Sequence, residues 1–158
     1  MGTERASQYR PLDRGREDFL REKYGRLENE GAAGLFFSGM LGFELEEVRR
    51  DYARMRLPWR VEISQPAGVA HGGAMASLID SVVVPAIASA YSEETSFVTV
   101  DFHVSFLAAL VDEDAVAEGW VVQRGRSIIF CAAEVRGARS DRLIAQGTLT
   151  YKLFERRD

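Results

Sequence analysis

Between Ala74 and Tyr91 the chain reads Ala-Met-Ala-Ser-Leu-Ile-Asp-Ser-Val-Val-Val-Pro-Ala-Ile-Ala-Ser-Ala-Tyr, with Asp80 as its single carboxylate. A helix that is apolar on nearly every side must be buried all round. A stretch of this length also raises the question of a membrane span. Asp80 would cost about 2.5–3.5 kcal/mol at a bilayer centre, and the alanines and serines around it return little. The stretch is therefore read as the central helix of a soluble protein, and something must be wrapped around it.

The flanking sequence supplies the wrapping. Phe43 to Val48 and Tyr52 to Leu57 alternate apolar and polar residues around a turn at Arg50-Asp51. After the helix, Val98, Val100, Phe102, Val104 and Phe106 alternate with Thr99, Asp101, His103 and Ser105. Val116, Trp120 and Val122 mark a further strand, Ile129 to Val135 another, and Leu143 to Leu153 the last. The links at Arg124-Gly125-Arg126 and at Gly137 to Asp141 are short, so the strands they join are antiparallel neighbours. One helix cannot cover a flat sheet of five or six strands, so the sheet must curve or a partner subunit must complete the burial. The expected class is α+β.

Residues 1–13 are read as a mobile N-terminus and 14–158 as one domain, in line with a chain of 158 residues. Arg14 to Glu30 places Leu20, Tyr24 and Leu27 at amphipathic spacing, with Gly31 as a stop signal. Leu35 to Leu41 reads as a turn or two of helix covering a cavity, as a core plug ahead of a ligand-lining role. Pro85, which offers no N–H to the Ser81 carbonyl, should kink the central helix.

Charge and cysteine content exclude several classes. A net charge of −4 and a pI near 5.3 argue against nucleic acid. From Val61 to Gln123 there is no Lys or Arg but nine acidic residues. A polyanionic ligand would have to be met at Arg124 and Arg126, at the Arg-rich N-terminal region or at the tail. The lone cysteine, Cys131, excludes an internal disulfide framework and favours a reducing compartment. With His71 and His103 it is too little for a zinc cluster within one chain. The N-terminus carries no apolar leader, so a cytoplasmic protein is expected. Gly-x-Ser-x-Gly, dinucleotide-type glycine and phosphate-loop motifs are missing, which leaves a serine nucleophile elbow or a nucleotide fold unsupported. His103 reads as an ordinary half-exposed strand residue, and Cys131 as a small buried one.

The chemical signal lies between Gln65 and Asp80. Gly72 and Gly73 open the helix and leave its first N–H groups uncovered, a site for a developing oxyanion assisted by the helix dipole. Asp80, alone in apolar surroundings, calls for either a raised pKa or a specific polar partner. Eight residues of helix put about 12 Å between Gly72 and Asp80. Both cannot serve one carbonyl within a single chain. If both act, Gly72 of one subunit works with Asp80 of another across a symmetric dimer.

Ala70-His71-Gly72-Gly73, with Asp80 nine positions after the histidine, resembles the hotdog-fold acyl-CoA thioesterases of the phenylacetate-degradation (PaaI-like) type. Val98-Thr99-Val100-Asp101, Arg124-Gly125-Arg126-Ser127 and Leu143-Ile144-Ala145-Gln146-Gly147 extend the likeness from about Gly42 to Lys152. The resemblance implies a hotdog fold: a curved antiparallel sheet around one long helix, paired edge to edge into homodimers and often homotetramers. It implies hydrolysis of an acyl-CoA, aromatic or medium to long in its acyl group, without metal or organic cofactor. Asp80 would be the general base or nucleophile, and the Gly72 N–H would polarise the thioester carbonyl. Thr99 would hold the attacking water with Asp80, and His71 would shape the loop and support the carbonyl site. Gly73, Arg124, Gly125, Arg126 and Ser127 would bind substrate, the last four near the CoA phosphates. Gln65 stands where the family commonly has Asn; it keeps the amide and lengthens its reach. Two other activities fit the same frame, an enoyl-CoA hydratase or dehydratase and a non-catalytic acyl-CoA-binding module.

Overall fold

Helix α3, Gly72–Ala88, runs through the middle of the molecule, and its ten buried residues include Leu78, Ile79, Val82, Val83 and Ile87. The computed structural model describes residues 3–25, 36–91 and 95–154. Six antiparallel strands surround the helix: β1 (Glu44–Arg49), β2 (Tyr52–Leu57), β3 (Phe97–Phe106), β4 (Ala115–Arg124), β5 (Ile128–Gly137) and β6 (Leu143–Leu153). Their order in the sheet is β1-β2-β4-β5-β6-β3. Consecutive strands pair across the short turns, as expected. β3 is carried past three strands to the far edge, where among the described residues it pairs with β6 alone. Among the described residues no helix is long and apolar enough to cross a membrane.

The helix lies closest to β4, and small residues explain how. Ala115, Ala117 and Gly119 form the inward row of β4, whereas Val116, Trp120 and Val122 turn outward. The apolar spacing in this strand therefore marks the wrong face. A Cβ on Gly119 would lie 2.7 Å from Cγ1 of Val82 and 3.1 Å from the Val82 main-chain carbon. Only glycine allows that approach.

β3 departs from simple alternation. A bulge between Thr99 and Asp101 shifts its register against β6. Thr99 pairs with Tyr151, while Phe102, Val104 and Phe106 pair with Leu149, Gly147 and Ala145, all on the helix side. Val98, Asp101, His103 and Ser105 point the other way. Strict alternation puts Thr99 on the outer face with Asp101; the bulge turns it inward.

Helix α1 (Arg14–Gly25) rests on β1 through Leu20, which is fully buried, with Tyr24 against the same core. Leu27 and Gly31, read as part of this helix and its stop, lie outside the described residues. Helix α2 (Phe37–Leu41) is a single turn closed by Gly42 at φ 73°. It is no core plug: Phe36, Phe37 and Met40 are exposed, and only Leu41 packs inward. Leu35 lies outside the described residues. Residues 3–9 lie across the outer sheet face. The Arg5 guanidinium sits 3.8 Å from the Trp120 ring centroid and 2.9 Å from Glu134, Ala6 is fully buried, and Tyr9 stacks on Tyr52. Tyr52 donates to Glu118 at 2.5 Å, and burial with that carboxylate pushes its phenol well above the usual range.

Candidate active site

His71 is extended (φ −68°, ψ 134°) and is the N-cap of α3. Its Nδ1 accepts the Gly73 N–H at 2.9 Å, so in the neutral ring the proton sits on Nε2. The second glycine is a consequence of this cap: a Cβ on Gly73 would fall 2.9 Å from Nδ1. The first glycine has a different reason. A Cβ on Gly72 would lie 3.3 Å from the Phe106 ring, which rests against it from the end of β3. Among the described residues the Gly72 N–H makes no hydrogen bond. The helix thus presents one unclaimed amide, with the positive end of its dipole behind it, beside an aromatic ring. His71 and Gly73 are exposed, which leaves this end open to a ligand.

Asp80 lies two turns along the helix, half-buried, and has the polar partners that its surroundings demand. Thr99 Oγ1 donates to Oδ1 at 2.8 Å and Tyr151 OH donates to the same oxygen at 2.7 Å. Both donors come from opposed positions of the β3–β6 pair. Among the described residues Oδ2 accepts no hydrogen bond, so the carboxylate is held by one oxygen and offers the other. Burial first, then the Asp80 charge, pushes the Tyr151 phenol far above its ordinary value, and it stays a donor. Tyr151 was not among the sequence candidates. Its only signal was a hydroxyl in a strand row otherwise made of Ala145, Gly147, Leu149 and Leu153, where a buried tyrosine needs a partner.

The other candidates are scattered. Gln65 is exposed in the loop before the helix, where its main chain closes a turn with Gly68 and Val69 (2.8 and 2.9 Å). Arg124 is committed to the fold. Its guanidinium donates to Asp51 Oδ1 (Nε, 2.8 Å), to the Ile87 carbonyl at the C-terminus of α3 (2.9 Å) and to Tyr91 OH (3.0 Å). A cation over the last carbonyls of a helix is favourable for the same dipole reason that leaves Gly72 electropositive. Arg126 is exposed, and the turn it sits in is closed by the Gly125 N–H on the Ile128 carbonyl (2.8 Å). Cys131 is buried, and burial pushes its thiol up to about 12. Pro85 falls in the last turn of α3, where its carbonyl accepts the Ser89 N–H at 2.9 Å. No group of three or more His, Cys, Asp or Glu among the described residues could hold a metal ion.

Comparison with known proteins follows this geometry closely. Residues 67–144, which carry the helix N-terminus, Asp80 and Thr99, match the model of the Thioesterase superfamily. Acyl-coenzyme A thioesterase 13 of Homo sapiens is 28% identical over 93 residues, covering 58% of this chain and 66% of that protein. The match thus spans just under two thirds of the length of such curated relatives. A conserved protein from Pseudomonas aeruginosa superposes with a TM-score of 0.71 at 27% identity, over 78% of this chain and 95% of that one. The PaaI protein of the phenylacetic acid degradation operon of E. coli shares the fold at a TM-score of 0.68 and 16% identity, over 75% and 83% of the two chains. Over residues 67–144 the chain is similar to the thioesterase superfamily, and its curved six-stranded sheet around a central helix is the hotdog fold.

Proposed function

We propose that the protein hydrolyses acyl-CoA thioesters to the free acid and CoA, with Asp80 as general base or nucleophile and the Gly72 N–H polarising the thioester carbonyl. The observation that carries this reading is the carboxylate held by Oδ1 alone, Thr99 and Tyr151 on one side and Oδ2 unclaimed. In the general-base form, Oδ2 takes a proton from water as the hydroxide adds to the carbonyl carbon. The developing oxyanion is met by the bare N–H at the start of a helix. Collapse expels the CoA thiolate, which takes the proton back from Asp80.

The spacing of about 12 Å along one helix requires the two groups to come from different protomers. Two features of β3 support an edge-to-edge homodimer. It is an edge strand, and among the described residues one side of its backbone has no partner strand. It also exposes Val98, Val100, Phe102 and Phe106 at 44–56%, a density of apolar surface that a partner strand would cover. A dimer of dimers is the further expectation. His71 orients the loop through its cap, and Gln65 is near enough in sequence to lend its amide to the carbonyl site. Gly73, Gly125, Arg126 and Ser127 are retained for the CoA portion, with Arg124 holding that turn to the helix. No metal or organic cofactor enters the scheme, and a cytoplasmic setting suits the unpaired cysteine.

The test is a panel of aromatic, medium-chain and long-chain acyl-CoAs with a thiol-release readout, run on wild type and Asp80→Asn. Turnover should fall about a hundredfold or more in the variant, with CoA affinity and fold retained. Wild-type turnover in Asp80→Asn would refute the assignment. Mixing Asp80→Asn subunits with subunits disabled at Gly72 should restore partial activity if each site is shared between two chains.

A further inference from the structure

Tyr151 has an unusual position for a residue that only fills space. Its hydroxyl oxygen is 2.7 Å from Oδ1 of Asp80 and 2.8 Å from the main-chain carbonyl oxygen of the same residue. A phenol carries one proton, so it satisfies one of these two acceptors fully at any moment. The ring is 2% exposed, opposes Thr99 on β3 and Ile129 on β5, and meets the Phe97 ring edge-on at 5.9 Å. The hydroxyl therefore cannot swing out to solvent.

We infer that Tyr151 is a positioning residue that supports Asp80 in both of its protonation states, its single proton serving Oδ1 while the acid is ionised and the Asp80 carbonyl once the acid is protonated. The inference rests on the reading of Asp80 as the group that takes and returns a proton. A buried acid that changes charge during a reaction normally leaves a donor or acceptor unsatisfied in one of its two states. Here the proton moves between two oxygens that are already in contact with it, and the carboxyl stays where it is. Thr99 Oγ1 completes the cluster as the second donor to Oδ1.

The surroundings keep the arrangement neutral apart from Asp80. The groups that act on the phenol are Asp80 on α3, Thr99 on β3 and Cys131 on β5. Burial pushes the Cys131 thiol up to about 12 and raises the phenol far above its ordinary value, so both keep their protons. The phenol thus faces one carboxylate, one hydroxyl and one neutral thiol, and Asp80 accepts from two hydroxyls.

The experiment compares wild type, Tyr151→Phe, protein carrying 3-fluorotyrosine at position 151, and Asp80→Asn, using the acyl-CoA that wild type turns over fastest. Tyr151→Phe keeps the ring and the packing, so KM should stay within about twofold while kcat falls about tenfold. The carboxylate then has one charge-assisted donor fewer, so the acidic limb of the kcat profile should move to higher pH. The fluorinated phenol is a stronger donor and should move that limb to lower pH. If Tyr151→Phe fails to fold, the fluorinated protein and a carbon-13 titration of the Asp80 carboxyl in it decide the question. An acidic limb and kcat unchanged by both substitutions, beside an inactive Asp80→Asn, would leave Tyr151 a scaffold residue and overturn the inference. A fully active Asp80→Asn overturns instead the reading on which it rests.

Discussion

Arg124 separates two accounts of the same residue, one in which it meets the phosphates of a ligand and one in which it ties the fold together. In Arg124→Ala the Asp51 carboxylate loses its near partner and, among the described residues, keeps only Arg50 at 3.9 Å, and it does so at a non-glycine residue held at φ 64° in the β1–β2 turn. The Ile87 carbonyl at the end of α3 loses its cation, and Tyr91 loses both a hydrogen bond and a guanidinium 5.0 Å from its ring centroid. Hydrogen bonds to charged groups contribute about 1.5–3 kcal/mol each when dry. The Arg124 and Asp51 side chains are 21% and 29% exposed, so solvent screens part of this. A total loss of about 2–3 kcal/mol follows for the set. For a domain of this size that is about 5–10 °C in Tm. Arg124→Lys keeps the charge but cannot reach Asp51 and the helix terminus together, and should recover about half of the loss. Urea unfolding at neutral pH gives the energy, and KM for the preferred acyl-CoA should change by less than about twofold. A Tm within about 2 °C of wild type together with a tenfold rise in KM would refute the structural account.

Three further expectations come from close contacts and charge. Gly119→Ala drives a methyl into Val82 and its main chain, so α3 must lift from β4; a loss of about 1–3 kcal/mol in urea unfolding is expected. Gly73→Ala displaces the His71 ring from its cap, and should cost about 1 kcal/mol of stability. It should also lower kcat about tenfold through the Gly72 loop, read by the thiol-release assay. Glu113 accepts the Arg139 and Ser140 N–H groups at 2.8 and 2.9 Å, and the bonds from Ser140 are the main reason its carboxyl lies below the ordinary range. A depressed carboxylate stabilises the fold above its unfolded value and stops doing so as pH falls through the folded one. Glu113→Gln should therefore lower the urea midpoint slightly at pH 7 and leave it unchanged at strongly acidic pH, because solvent screens this half-exposed group.

Much of the site is legible in the pattern of residues. A helix apolar on all sides can contain one carboxylate only if something answers it, and Thr99 does, from the strand that follows. Glycines at the start of that helix announce exposed N–H groups, and Gly72 retains one. What alternation alone misreads are the faces of β3 and β4. In β4 the helix demands small residues beneath it, so Ala115, Ala117 and Gly119 go inward although Val116 and Trp120 are more apolar. In β3 one inserted residue reverses the parity and brings Thr99 to Asp80. A bulge has no signature in a pattern of single residues, because it is a property of two strands in register.

Arg124 and Tyr151 show the same division. The sequence by itself determined that a buried helix with one acid must be wrapped by antiparallel strands, because periodicity and the cost of an unpaired charge are local facts about residue types. It also marked an arginine beside a turn, but charge alone does not say whether a guanidinium faces a ligand or a helix end. That decision, and the convergence of two hydroxyls on one carboxylate oxygen, belong to the tertiary structure. They depend on which strands lie side by side, and β3 comes to lie beside β6 only because the chain leaves β2 and crosses to the opposite edge of the sheet.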